Sequence, residues 1–337
     1  MRAFVITGPR RAEVRDVDPP VPGPGLVVVD VERAGVCGTD TEFFTSDMAY
    51  LHTGQAIYPL RIGHEWCGTV AAVGDGVDPV WLGRRVTGDT MLGCGHCDRC
   101  TAGRQHLCND RYEIGIRGGW PGALAEQLPV PATALQPLPD RVDATLGALV
   151  EPGGNALRAV RGAALTVGER LLVIGPGTIG LLVAQIAQAE GVEVHVLGLT
   201  DTSLAFARSI GVPNAWTAST LPPLRFDGVI DASNGVSAPA VALDRVEPGR
   251  RVVYIGLAGE PSTVDTRTIA LKDVTVVGVL SASGGLAGAV DLFASGRVDP
   301  RPLVAATVGL DDVAAVLAGD RPATWGAAPK VHVDPSQ

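Results

Sequence analysis

The sequence predicts an α/β chain in two parts, a turn-rich β half followed by a parallel, doubly wound sheet. Three observations carry that prediction. The chain has 337 residues, more than one ordinary domain of roughly 100–200 residues holds. The stretch RLLVIGPGTIGLLVAQIAQAEG sets Gly175-x-Gly177-x-x-Gly180 between an apolar strand and a helix. Further strand-like runs follow at EVHVLG, DGVIDAS, RRVVYIG and VTVVGV, with helical stretches between several of them. That alternation describes a parallel sheet covered on both faces.

The first half has a different texture. FVIT, LVVVDVERAGV, GTVAAVG and RRVTG read as short strands, and the chain's 43 glycines and 25 prolines supply many tight turns. An apolar fraction of 46% is ample for two cores. A formal charge of −9 argues against nucleic acid and against an anionic membrane surface. The N-terminus lacks the apolar core of a signal peptide. The uncharged stretch Leu171 to Ala189 is interrupted by glycines and a proline, so strand, turn and buried helix explain it better than a membrane span. A cytoplasmic protein is expected, and disulfides are disfavoured there.

The three glycines of the fingerprint do different things. Gly175 makes a tight turn, Gly177 allows close approach of a pyrophosphate, and Gly180 allows close helix packing. Thr178 and Ile179 then open the helix, whose N-terminal N–H groups and dipole favour phosphate.

Four of the six cysteines lie at Cys94, Cys97, Cys100 and Cys108. The first three recur at every third position and the fourth returns to close a tetrahedron, the pattern of a structural zinc site with no vacant position. A disulfide pair and an iron–sulfur cluster are the rival readings. Chemistry therefore needs a second site. Cys37, His64, Glu65, Cys67 and Glu151 offer the thiolate, imidazole and carboxylate that a catalytic zinc uses, leaving a fourth position open.

CGTD at 37–40, GHE at 63–65, GTVAAVGDGV at 68–77, the cysteine lobe, EP at 151–152 and the glycine fingerprint occur in one order. In this the chain resembles the zinc-dependent medium-chain alcohol and polyol dehydrogenases, over nearly its whole length. The resemblance implies a β-rich, GroES-like catalytic domain over 1–150 with its zinc lobe at 93–108. It further implies a Rossmann cofactor domain over 151–285 and a return to the catalytic domain over 286–337. It implies Cys37, His64 and Glu151 as catalytic zinc ligands, Glu65 as a neighbouring or exchanging ligand, and Cys67 as a buried filler. Two zinc ions per chain follow, one catalytic and one structural.

Thr39 matches the hydroxyl that takes the alcohol proton, and Glu42 stands where many relatives carry a relay histidine. His52 is a candidate substitute for that histidine, with a loop histidine of no role as the favoured reading. For the cofactor, the resemblance places Gly198 where NAD enzymes carry a ribose-binding acid. Its lack of a carboxylate favours NADP while leaving NAD open, with Thr200 and Ser203 offering hydroxyls and Asp201 a displaced acid. Ser233, Gly256, Leu257 and Leu280 would line the path to the nicotinamide. A homotetramer or homodimer, joined through the cofactor-sheet edge, is expected.

Glu42 in place of histidine points to sugars, polyols or cyclitols as substrates. Gly153 and Gly154 are expected to leave room for substrate, and Asn155 to bond substrate or nicotinamide. Two alternatives stand beside this: a zinc dehydrogenase of simple or aromatic alcohols, and a non-catalytic NAD(P)-binding protein.

Overall fold

A computed structural model describes residues 1–337. Two sheets organise the chain. The first has seven strands, centred on Leu26–Val36, in which Val27, Val28, Val29 and Val31 are buried and Asp30 is exposed. This strand pairs antiparallel with Glu65–Val73 along one side. On its other side lie Gln127–Pro131 and, beyond them, the C-terminal strand Lys330–Val333. Val331 stands opposite Val36, so the end of the chain lies beside Cys37.

The second sheet has six parallel strands. In space they run Ala215–Trp216, Glu193–Leu197, Arg170–Ile174, Phe226–Asp231, Val246–Tyr254, Thr275–Gly278. In chain order that is 3-2-1-4-5-6, the arrangement of a dinucleotide-binding sheet. Strands buried on both faces need continuous apolar runs, and Leu171, Leu172 and Val173 are wholly buried. The uncharged stretch divides into the strand Arg170–Ile174 and the helix Thr178–Ala189. No helix is long and apolar enough to cross a membrane.

The helix Val150–Ala163 joins the two halves. Asp143 caps the short helix before it by accepting from Leu146 N at 2.9 Å, a cap worth about 1 kcal/mol. Gly153 and Gly154 do not leave room for substrate. A Cβ on Gly153 would come within 2.7 Å of Phe293, and one on Gly154 within 3.0 Å of Ala282. The paired glycines let this helix pack closely on Leu286–Ala294. That second helix still belongs to the cofactor-domain core, although 286 is where the return to the catalytic domain was expected. The chain rejoins the first sheet only with the strand Val304–Val308.

Candidate active site

Cys37 ends the central strand and caps the helix Gly38–Thr45. Its N–H donates to Asp40 Oδ2 at 2.8 Å, and Asp40 Oδ1 accepts from Gly63 N at 3.2 Å. Asp40 is wholly buried and lies 3.7 Å from His64 Nδ1, too far for a hydrogen bond but close enough to orient the ring. The cap therefore ties Cys37 and the Gly63–His64 turn to one carboxylate. The fold brings donor atoms of Cys37, His64 and Glu65 within 4.8 Å of one another. Glu151, on the facing helix, lies outside that trio but close enough to act on the charges of His64 and Glu65.

The electrostatics suit a cation. Burial pushes Glu151 up to about 7, against the pull of His64. Burial alone would lower His64, but Asp40, Cys37 and Glu151 hold it well above its ordinary value. His64 Nδ1 is buried without a hydrogen-bond partner. Thiolate, imidazole and carboxylates around such a ring are the donor set of a zinc site.

Glu65 opens its strand and is itself buried. Lys330 Nζ donates to its two oxygens at 2.8 and 2.6 Å and to Val36 O at 2.9 Å. Asp40 and Lys330 are the two residues that sequence reasoning missed. Asp40 was legible as an acid three residues after the candidate ligand Cys37, the N3 position of a capping box. Lys330 had no local signal.

The four lobe cysteines also converge, with their sulfurs within 4.8 Å of one another. Cys94–Cys100 and Cys97–Cys108 separations are 4.0 and 3.8 Å. A tetrahedron of thiolates about 2.3 Å from zinc has edges of about 3.8 Å. All six cysteines are free thiols. Backbone N–H groups of His96 and Cys97 lower Cys94 to about 6, while burial and then its three sulfur neighbours raise Cys100 to about 12. A lowered Cys94 beside a raised Cys100 is the conflict a bound dication relieves.

At the carboxyl ends of the parallel strands the fingerprint glycines divide their work. Gly175 has φ +99, and a Cβ there would stand 2.9 Å from Ser233. A Cβ on Gly180 would overlap Gly175 O. Gly177, the N-cap of the helix, has nothing within 4 Å of its Cβ position, open space for a phosphate. Leu199, Leu257 and Leu280, which follow three of these strands, are exposed apolar side chains where a dinucleotide would lie. Gly256 meets Ser233 O across the same crevice, so closely that a Cβ would overlap it.

Gly198 is sealed by packing. A Cβ would come within 2.8 Å of Pro176 and 2.9 Å of Leu204. Thr200 and Ser203 hydroxyls bond each other at 2.8 Å as the cap of the helix Asp201–Ser209. Asp201 is exposed at that helix's first position.

Comparison with known proteins agrees with this geometry. The alcohol dehydrogenase GroES-like domain family matches residues 23–140, and the zinc-binding dehydrogenase family matches residues 178–295. The L-threonine 3-dehydrogenase of Saccharopolyspora erythraea is 34% identical over 83% of each chain. An Escherichia coli CFT073 alcohol dehydrogenase solved with NADH superposes with a TM-score of 0.89 at 27% identity, over 99% of both chains. A Sinorhizobium meliloti protein described as a zinc-binding dehydrogenase, solved with NADP, gives 0.89 at 28% over the same share. The chain belongs to the zinc-dependent medium-chain dehydrogenase family. It is an NAD(P)-dependent alcohol dehydrogenase, and zinc and a nicotinamide dinucleotide are its cofactors.

In this dehydrogenase Thr39 and Glu42 lie half-buried on the helix that Cys37 caps. Burial, then Asp47, holds the Glu42 carboxyl above its usual value. His52 is exposed at the end of the short helix Ala49–His52. Cys67 is wholly buried, donates to Ala144 O at 3.2 Å and is no member of either donor cluster.

His332 lies on the same strand as Lys330, wholly buried, with neither ring nitrogen hydrogen-bonded. Burial, then repulsion from Lys330 and Arg33, pushes it down to about 3. The folded state thus holds it neutral, and unfolding lets it take a proton below its ordinary value near 6.5. Stability is present above that value and is lost as pH falls towards 3, on the order of 4 kcal/mol in total. Thermal unfolding should show His332→Leu losing less between pH 6.5 and 4.5 than the parent. Parallel curves would remove His332 from the account.

Proposed function

We propose that the enzyme moves hydride between a secondary alcohol carbon of a sugar, polyol or cyclitol and NADP or NAD, with one catalytic and one structural zinc per chain. One observation carries the reading. Glu151, Asn155 and Arg158 lie along one face of the helix Val150–Ala163 at i, i+4 and i+7. Asn155 Nδ2 donates to Glu151 Oε1 at 2.8 Å, and Arg158 Nη1 donates to Leu280 O at 2.6 Å. A single rigid element thus spans from the metal ligands to the end of the cofactor sheet, the span a hydride transfer needs.

Zinc, when bound, lowers the alcohol's pKa and stabilises the alkoxide. Cys37, His64 and Glu151 would hold it, with Glu65 as a neighbouring carboxylate. Asn155 aims the Glu151 oxygen and Asp40 aims His64. Thr39 accepts the alcohol proton and Glu42 takes it towards solvent. The dinucleotide lies over Gly175, Gly177, Thr178, Ile179 and Gly180, with Ser233, Gly256, Leu257 and Leu280 beside it. The missing carboxylate at Gly198 favours NADP. Cys94, Cys97, Cys100 and Cys108 hold the structural zinc.

A second reading has one observation behind it. The Saccharopolyspora relative is named for L-threonine, whose hydroxyl is also a secondary alcohol. Nicotinamide absorbance, followed with NAD and NADP against sugars, polyols, cyclitols, L-threonine and simple alcohols, separates the cases. Turnover confined to polyhydroxylated compounds supports the first reading. Turnover confined to L-threonine gives precedence to the second, and turnover confined to simple alcohols removes any substrate information from Glu42.

A homo-oligomer joined through the strand Thr275–Gly278 completes the proposal. That strand is the open edge of the six-stranded sheet, with Val276 and Leu271 exposed beside it.

A further inference from the structure

We propose that Asp89, a residue of the catalytic half that is in neither donor cluster, is a positioning residue for the turn that receives the nicotinamide. The inference rests on the cofactor placement given above. Asp89 follows the strand Arg85–Gly88 of the first sheet and is 5% exposed. Its carboxylate accepts three hydrogen bonds: from Met91 N at 3.0 Å, from Gln105 Nε2 at 2.8 Å and from Ser283 Oγ at 2.9 Å. The third crosses between the halves. Ser283 is itself buried, in the turn that leaves the last strand of the cofactor sheet.

The bond continues into that turn. Ser281 Oγ donates to Ser283 Oγ at 3.1 Å, and Ser283 N donates to Ser281 Oγ at 3.3 Å. Ser281 has φ +73, a left-handed conformation that a residue with a Cβ holds only when its surroundings require it. On the other side Arg158 Nη1 grips Leu280 O at 2.6 Å and Ser281 O at 2.5 Å. The N–H groups of Leu280 and Ser281 donate to no group in the protein, which leaves two adjacent donors for a bound amide. Asp89 and Arg158 together hold the backbone that presents them.

Gln105 gives this arrangement a further anchor. It belongs to the segment between Cys100 and Cys108, and its Cβ lies 2.9 Å from the Cβ position of Gly93. The amide that orients Asp89 is therefore set by the fold of the cysteine lobe. A lobe with no opening for substrate still acts on the cofactor end of the cleft.

Ser283→Ala removes the crossing bond and little else, while Asp89→Asn alters the acceptor. Binding of the reduced cofactor, read by nicotinamide fluorescence, is to be compared with binding of the matching ADP-ribose, which lacks the nicotinamide. The expected result is about tenfold weaker cofactor binding in Ser283→Ala, ADP-ribose affinity unchanged, and recovery in Ser283→Thr. Equal weakening of both ligands means a general structural role and overturns the proposal, as does no change in either. If the parent protein binds neither ligand, the cofactor placement itself falls, and the positioning role with it.

Discussion

Replacing Cys37 by serine is expected to lower kcat/KM about a thousandfold or more while leaving the fold and dinucleotide binding in place. Cys37 is the one sulfur donor in the His64 cluster, and it sits at the N-cap of a helix whose capping box runs through Asp40 and the Cys37 backbone. Serine keeps that backbone and its bond to Asp40. What it removes is the soft donor, and stabilisation of the alkoxide is worth several kcal/mol, about a factor of ten in rate for each 1.4 kcal/mol. On the proposal of two zinc ions per chain, bound metal should fall to one, because the lobe cysteines are untouched. A variant that kept its turnover would sink the zinc-alkoxide reading. One that lost both metals would show that the two sites do not fold independently.

The largest effect on stability belongs to Lys330→Met. Lys330 and Glu65 are both almost wholly buried, with side chains 4% and 2% exposed. Burial alone would lower the Lys330 pKa, but the Glu65 carboxylate, followed by Cys37, raises it, so the ammonium keeps its proton. Removing the ammonium leaves a buried carboxylate with no partner, at a cost of about 3–5 kcal/mol. For a chain of this size that lowers Tm by roughly 4–7 °C. Glu65→Gln combined with Lys330→Met removes both charges and should recover most of the loss. A single variant within about 1 kcal/mol of the parent would mean that the carboxylate finds water or a proton without difficulty.

The same pair bears on the metal. Glu65 lies within the Cys37–His64 group and bonds Lys330 at the same time. Lys330→Met should therefore shift zinc affinity along with stability.

Much of the site could be read from the chain alone, and the readable parts share a feature. The lobe cysteines fall between Cys94 and Cys108, and the fingerprint glycines between Gly175 and Gly180. Over such spans the chain's own turns bring the groups together, so spacing is already geometry. The period of apolar runs likewise implied a doubly wound sheet, because a parallel strand must be covered on both faces. Gly153 and Gly154 show the limit of that reasoning. They looked like space for a ligand, and they are contact points for a helix that begins at Leu286.

The remaining features depend on strands that meet from distant parts of the chain. Lys330 reaches Glu65 because the C-terminal strand pairs antiparallel with Leu26–Val36, in a register that sets Val331 opposite Val36. Asp89 reaches Ser283 because the two sheets face each other across the helix Val150–Ala163. No local periodicity encodes either contact. By itself the sequence singled out cysteines whose sulfurs converge and glycines that stand between a strand and a helix, since those depend on residue type and short spacing. Only the tertiary structure decided which charges are buried together, because strand register and sheet packing set the distance between residues that the chain keeps far apart.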